Sequence, residues 1–302
     1  MTKIKYENWK PKAETLVKVD YANRIIREYS QQGLVLTLRQ LYYQFVARDV
    51  IENTERSYKN LGNIIRNARM AGLLSWEAIE DRNRGHNSFW VDESADNCID
   101  ALPRQIRFDQ WARQDHYVEV WVEKEALGNV IEQACNPLMI PYMSCKGYLS
   151  ASEAWRAGRR VMFQARAGKQ CTIIHLGDHD PSGIDMTRDN QSRLDCFSGY
   201  SGVEVNRISL NMNQIEEYTP PPNPTKFTDS RAKEYAKKYG NESWELDALE
   251  PKVLIDLIND TVKPMIDWDT WEDTLNEEKE VKVELRKLSN NWQAVQEFLG
   301  EL

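Results

Sequence analysis

No apolar run in the sequence approaches the roughly 20 residues of a membrane-spanning helix, and residues 1–12 are too polar for a signal peptide. No membrane partner is expected. The five cysteines (Cys98, Cys135, Cys145, Cys171 and Cys196) are scattered and form no Cys-x-x-Cys pair. That argues against zinc and against a disulfide framework, and it fits a reducing cytoplasm. There is no Gly-x-Gly-x-x-Gly and no P-loop, so a nucleotide has no glycine-rich cradle. Internal repeats are absent too. The chain also lacks an excess of positive charge: 39 Lys+Arg against 47 Asp+Glu give −8. The acid is unevenly placed, however. Residues 1–110 carry 17 basic and 15 acidic side chains, residues 111–240 carry 16 of each, and residues 241–302 carry 6 and 16. The first 240 residues are therefore free to approach phosphates, which an evenly acidic surface is not.

A chain of 302 residues holds two domains or one large one. The first 105 residues read as helical. Leu16, Val17, Ala22, Ile25 and Ile26 put an apolar stripe on a helix over 13–31. Thr37 and Gln40 form a capping box for the next helix, on which Leu38, Leu41, Tyr42 and Phe45 share one face. That spacing sets Tyr42 against the core. It places Arg39 and Tyr43, four apart, together beside the stripe and toward solvent, where the cation can lower the phenol pKa and attract a phosphate. The plainer reading is a surface tyrosine lying over an arginine stem. A third helix over 54–70 carries Arg66 and Arg69, and Arg82 and Arg84 follow in a basic turn. Three helices and such a turn suit a winged-helix DNA-binding module; a helical bundle with a solvated charged face suits the same pattern.

From about residue 106 strand and helix alternate. Strands at 118–122, 138–144, 172–176 and 203–209 are separated by helices at 124–134, 151–167 and 182–197. The pattern is α/β with a mostly parallel sheet. Two strands end in acids. Val118–Val122 is followed by Glu123 and Lys124. Thr172–Leu176 is followed by Gly177, Asp178, His179, Asp180, Pro181, Ser182 and Gly183. Acids at the carboxyl ends of parallel strands stand where open α/β sheets bind ligands. Glu123, Asp178 and Asp180 are hard oxygen donors suited to Mg²⁺. Asp180 before Pro181 also reads as a helix N-cap. Residues 218–231 form a proline-rich connector whose Lys226 and Arg231 either reach DNA or belong to a strap along the domain. A helical, acidic segment closes the chain; Glu245 and Asp247, near its start, read as an exposed helical face or as further metal donors.

Val-Glu123-Lys-Glu-Ala together with Gly-Asp178-His-Asp180-Pro-Ser-Gly resembles the Toprim metal site. Arg39-Gln-Leu-Tyr42-Tyr43 on an upstream helix resembles the Arg-Asp-Ile-Tyr-Tyr segment of the topoisomerase VI A subunit and its meiotic relatives. The resemblance covers roughly residues 35–85 and 115–210. It implies a winged-helix (CAP-like) domain over 1–105 and a Toprim domain over 106–302, with the helical C-terminal segment attached. It implies Tyr43 as the nucleophile on double-stranded DNA, leaving a 5′-phosphotyrosyl bond, with Arg39 stabilising phosphate charge and Mg²⁺ on the three acids. A homodimer cutting both strands is implied in the same way. Gln40, His179 and Ser182 depart from the family's pattern. No ATPase module is present, so a separate ATPase subunit stays open and a compact phage or mobile-element type fits better. The alternatives are a Toprim nuclease that activates water and a non-catalytic DNA-binding module.

Overall fold

The computed structural model describes residues 3–80, 93–225 and 228–300. The chain begins with α1 (Ala13–Ser30), β1 (Leu36–Thr37), α2 (Leu38–Ala47), α3 (Glu55–Met70), β2 (Ile79–Glu80) and α4 (Ala95–Gln105). The capping box holds: Thr37 Oγ1 accepts from Gln40 N, and Gln40 Oε1 accepts from Thr37 N. Thr54 caps α3 by accepting from Ser57 N. The short strands β1 and β2 pair in parallel, Leu36 beside Ile79. Arg82 and Arg84 lie outside the described residues.

The alternating region follows in the expected order. It contains β3 (His116–Val122), α5 (Gly128–Cys135), β4 (Tyr142–Ser144), α6 (Ala151–Arg166), β5 (Gln170–Leu176), α7 (Pro181–Ser198) and β6 (Glu204–Ser209). Two expectations shift. The helix predicted from 124 opens with a 3₁₀ turn at Glu125–Leu127, and the strand predicted over 138–144 is only three residues long because Asn136–Leu138 is another such turn. The four strands form one parallel sheet in the order β4-β3-β5-β6. From β3 the chain moves to one side for β4, then returns across to β5 and β6. The reversal falls between β3 and β5, the crevice where such sheets bind ligands.

Both faces of the sheet are covered, as a parallel sheet requires. On one face Val118, Val120, Val122, Ile174 and Leu176 join a core that runs without a break into α1, α2, α3 and α5. On the other, Trp121, Cys171 and Ile173 pack with Ala154, Ala157 and Val161 of α6 and Leu194 of α7. Gly158 lets α6 and α7 touch: a Cβ there would stand 2.5 Å from the Phe197 Cβ.

The remainder comprises α8 (Met212–Tyr218), β7 (Asn223–Pro224), α9 (Ala232–Tyr239), β8 (Glu242–Ser243), α10 (Pro251–Val262), α11 (Trp268–Asn290) and α12 (Trp292–Gly300). The proline-rich connector contributes β7, which pairs antiparallel with β8. The acidic α11 lies against α4, where Glu278 accepts from Phe108 N (2.8 Å) and Glu277 pairs with Arg113 (2.7 Å). Among the described residues no helix is long and apolar enough to cross a membrane.

Candidate active site

Glu123 and Asp178 stand at the carboxyl ends of β3 and β5, on either side of the crevice. The strand pairing continues past β3, with Glu123 N donating to Leu176 O at 2.8 Å. Asp178 N then donates to Glu123 Oε2 at 2.8 Å. Asp180 is an N-cap as well as a candidate ligand: its Oδ1 accepts from Gly183 N (2.6 Å) and Ser182 Oγ (3.0 Å). The turn is so tight that a Cβ on Gly183 would come within 2.2 Å of the Asp178 carbonyl oxygen. Asp178 Oδ1 accepts from Leu246 N at 2.7 Å and pairs with Lys124 Nζ at 2.9 Å. Each of the three acids is thus anchored through one oxygen. The other oxygens, Glu123 Oε1, Asp178 Oδ2 and Asp180 Oδ2, carry no hydrogen bond among the described residues. All three acids line one cleft of about 650 Å³, together with Arg39, Lys124 and Glu245.

Lys124 points into the acid cluster. Its ammonium lies 2.9 Å from Asp178 Oδ1, 2.6 Å from Glu245 Oε2 and 2.8 Å from Asp247 Oδ1. Glu245 and Asp247 in turn are not on an exposed helical face. A 3₁₀ turn over Leu246–Ala248 replaces the expected helix start, and burial of Leu246, Ala248 and Leu249 carries the intervening acid inward. Arg39 completes the cluster, with its Nε 2.8 Å from Asp247 Oδ2 and its Nη2 paired with Glu245. Five carboxylates therefore share the region with three cations, Arg39, Lys124 and the half-buried Arg207.

That excess of negative charge is visible in the acids. Burial pushes Asp178 up to about 7, opposed by Lys124 and the Leu246 N–H and reinforced by Glu123 and Asp247. Burial also raises Glu123, and Asp180 adds to the rise. Glu245 goes the other way. Burial opposes its ionisation, yet Lys124 and Arg39 hold it down to about 2.

Tyr43 requires a correction. Helix spacing turned it toward solvent, but its side chain is buried, only 4 % exposed. The turn at Leu246–Ala248 packs across α2 and covers the face that an isolated helix leaves open. The phenol pKa is raised rather than lowered: burial acts first, then Asp247 and Glu245, and Arg39 offsets them only in part. The Arg39 guanidinium carbon is 6.0 Å from the ring centre. Tyr42 is buried as expected, and its hydroxyl donates toward Asn53 Oδ1 (2.9 Å) and Thr54 O (3.2 Å).

The remaining candidate DNA contacts divide. Arg66 is exposed on α3. Arg69 Nη2 donates to Trp76 O at 2.5 Å, and its guanidinium lies over the Trp76 ring. Arg231 is engaged by Asp229 (2.8 Å), Asp185 (3.1 Å) and the Tyr148 hydroxyl. Lys226 lies outside the described residues.

Arg207 was missed in the sequence, where a lone arginine inside a short strand reads as an edge residue. It is a half-buried strut. Its Nη2 donates to the carbonyls of Gly177 (2.9 Å), Asp178 (2.6 Å) and Leu210 (3.1 Å), and its Nη1 to Gly183 O (2.9 Å) and Thr187 Oγ1 (3.2 Å). One guanidinium thus fixes both ends of the Asp178–Gly183 turn. His179 is held on the far side. Its Nδ1 meets the Tyr235 hydroxyl at 2.7 Å, and its backbone pairs with Trp244 (2.8 and 3.0 Å). Burial keeps it neutral down to about 4.

Mg²⁺ can be tested against this geometry. The donors suit a hard cation, since all are carboxylates and each keeps one oxygen free of hydrogen bonds. As the side chains stand, no three His, Cys, Asp or Glu residues among those described form a ready-made metal set. Lys124 instead supplies positive charge at the centre. The residues present thus match an ion by chemistry, and the acids have to close on it. Comparisons with protein-family models, with curated proteins and with solved structures found no match.

Proposed function

We propose that this chain is a Mg²⁺-dependent enzyme that cleaves DNA phosphodiesters, built as a winged-helix domain and a Toprim domain in the manner of the topoisomerase VI A subunit. One observation carries the reading. Three carboxylates from the ends of two adjacent strands, each anchored by a single oxygen, line one cleft at the point where the sheet reverses direction. Glu123, Asp178 and Asp180 are the residues to hold the ion. When bound, it supplies positive charge against the phosphate and the leaving oxygen. The protein supplies the rest. Arg207 and Gly183 fix the turn that presents Asp178 and Asp180. Lys124 and Arg39 balance the acids, and they pair with a phosphate only by exchanging it for Glu245 and Asp247. A homodimer and double-stranded DNA belong to the same proposal.

Two nucleophiles are consistent with this scheme. In the transesterase form Tyr43 attacks phosphorus and remains as a 5′-phosphotyrosine, while the 3′-hydroxyl leaves. Its burial and raised pKa mean that residues 245–247 must first draw back from α2. The same burial favours the second form, in which activated water attacks and Tyr43 stays structural. Incubation of the purified protein with supercoiled DNA and Mg²⁺, followed by denaturation, separates them. A protein–DNA adduct that Tyr43→Phe abolishes supports the first. Protein-free cuts that survive Tyr43→Phe and vanish in Asp178→Asn support the second. Cutting that persists in Asp178→Asn refutes the site.

A further inference from the structure

Two of the arginines expected to contact DNA, Arg69 and Arg231, are engaged within the protein, and another surface offers both charge and rings. On α6, Trp155 is 53 % exposed and Phe163 is 70 % exposed. They lie eight apart, so they share a face, and at 1.5 Å per residue they stand roughly 12 Å from each other along the axis. Arg159 and Arg166 fall on the same stripe, and neither has an ion pair among the described residues. Arg156 flanks it, tied to Glu153 at 3.2 Å. The opposite side, Ala154, Ala157 and Val161, is committed to the core.

The stripe leads away from the cleft. Asp229 lines the cleft, Arg231 bonds both Asp229 and the Tyr148 hydroxyl, and Tyr148, itself 37 % exposed, precedes the start of α6. Rings therefore occur at the cleft rim and again one and three turns into α6, with Arg159 between the two α6 rings and Arg166 just past the second.

We propose that this stripe is a track for unpaired nucleic acid, running from the cleft rim along α6. The proposal rests on the reading of the cleft as a DNA site. Chemistry selects the occupant. Exposed flat side chains gain most from the faces of bases, and those faces are available only where strands are unpaired. Interleaved arginines match the phosphates between bases. A duplex offers the stripe phosphates alone.

The test uses the full-length protein in EDTA, so that binding is read without cleavage. Fluorescence anisotropy follows a labelled oligo-dT strand and a labelled duplex of equal length. Trp155→Ala/Phe163→Ala is expected to weaken single-strand binding by roughly tenfold or more and to change duplex binding by less than about twofold. Arg159→Glu/Arg166→Glu is expected to weaken single-strand binding as well. Trp155→Tyr, which keeps a ring, is expected to stay within about threefold of wild type. All of these side chains are solvent-exposed, so melting temperatures should match wild type; Phe163→Ala alone is the fallback if the double variant melts early. Unchanged single-strand affinity in the ring variants, an equal loss on duplex, or binding only to phosphatidylserine–phosphatidylcholine vesicles overturns the track. Cleavage by Asp178→Asn refutes the catalytic reading and leaves the binding result standing on its own.

Discussion

Asp178 is held in the folded protein at the expense of stability, and the substitution Asp178→Asn measures by how much. Its carboxyl is pushed up to about 7, against roughly 3.9 in an unfolded chain. A group whose folded pKa is raised contributes stability that is fully present below its unfolded pKa and is lost as pH rises through its folded pKa. For Asp178 that window runs from about pH 4 to pH 8. Over the experimentally convenient part, pH 5.5 to pH 8, the wild type loses about 2 kcal/mol from this residue. Asparagine accepts from Leu246 N and Lys124 as the carboxylate does, but it does not titrate. Glu123 is raised too, chiefly by burial, but it is present in wild type and variant alike, so the comparison of the two isolates Asp178. Glu245, held down to about 2, contributes fully above its unfolded value of about 4.3, so its share is constant there. Lys124 is raised, so its share is lost only in strong alkali. Thermal melting in EDTA at the two pH values is the assay. The melting temperature of Asp178→Asn relative to wild type should climb by about 3–6 °C from pH 5.5 to pH 8. Parallel curves would refute the argument, because they would mean that Asp178 ionises in the fold as freely as in the unfolded chain.

Two further outcomes follow from the same geometry. Lys124→Met leaves Asp178, Glu245 and Asp247 without their shared cation (contacts of 2.6–2.9 Å), and urea denaturation at pH 8 should show a loss of about 3–5 kcal/mol. Gly183→Ala drives a Cβ to 2.2 Å from the Asp178 carbonyl; the turn must open, at about 1–3 kcal/mol by urea denaturation, and the rise in melting temperature expected for the wild type in Mg²⁺ should be lost.

The α/β frame was readable because buried parallel strands leave continuous apolar runs, and Val118–Val122 and Thr172–Leu176 are such runs. The acids at their ends were readable for the same reason, since position after a strand locates a residue at the sheet edge. The orientation of Tyr43 was not. Helix periodicity describes α2 alone, and the partner that covers Tyr43 is a turn some 200 residues later. Glu245 and Asp247 misled in the same way: alternating acids look solvent-exposed unless their cations are known, and Arg39 and Lys124 lie far away in sequence. Arg207 gave no signal because, Thr187 apart, its partners are backbone carbonyls, which every residue possesses.

The cluster that joins Arg39, Lys124, Glu245 and Asp247 imposes an order on synthesis. With translation at about 5–20 residues per second, roughly 10–40 s separate the appearance of Arg39 from that of Asp247. Until then Arg39 lacks both of its carboxylates, Lys124 has only Asp178, and Tyr43 is uncovered. A nascent chain that already contains the acids at the strand ends still lacks the closing turn. The closing turn thus reaches this centre after every other member, and a chain released before residue 245 carries the acids at 123, 178 and 180 without the assembly that positions them.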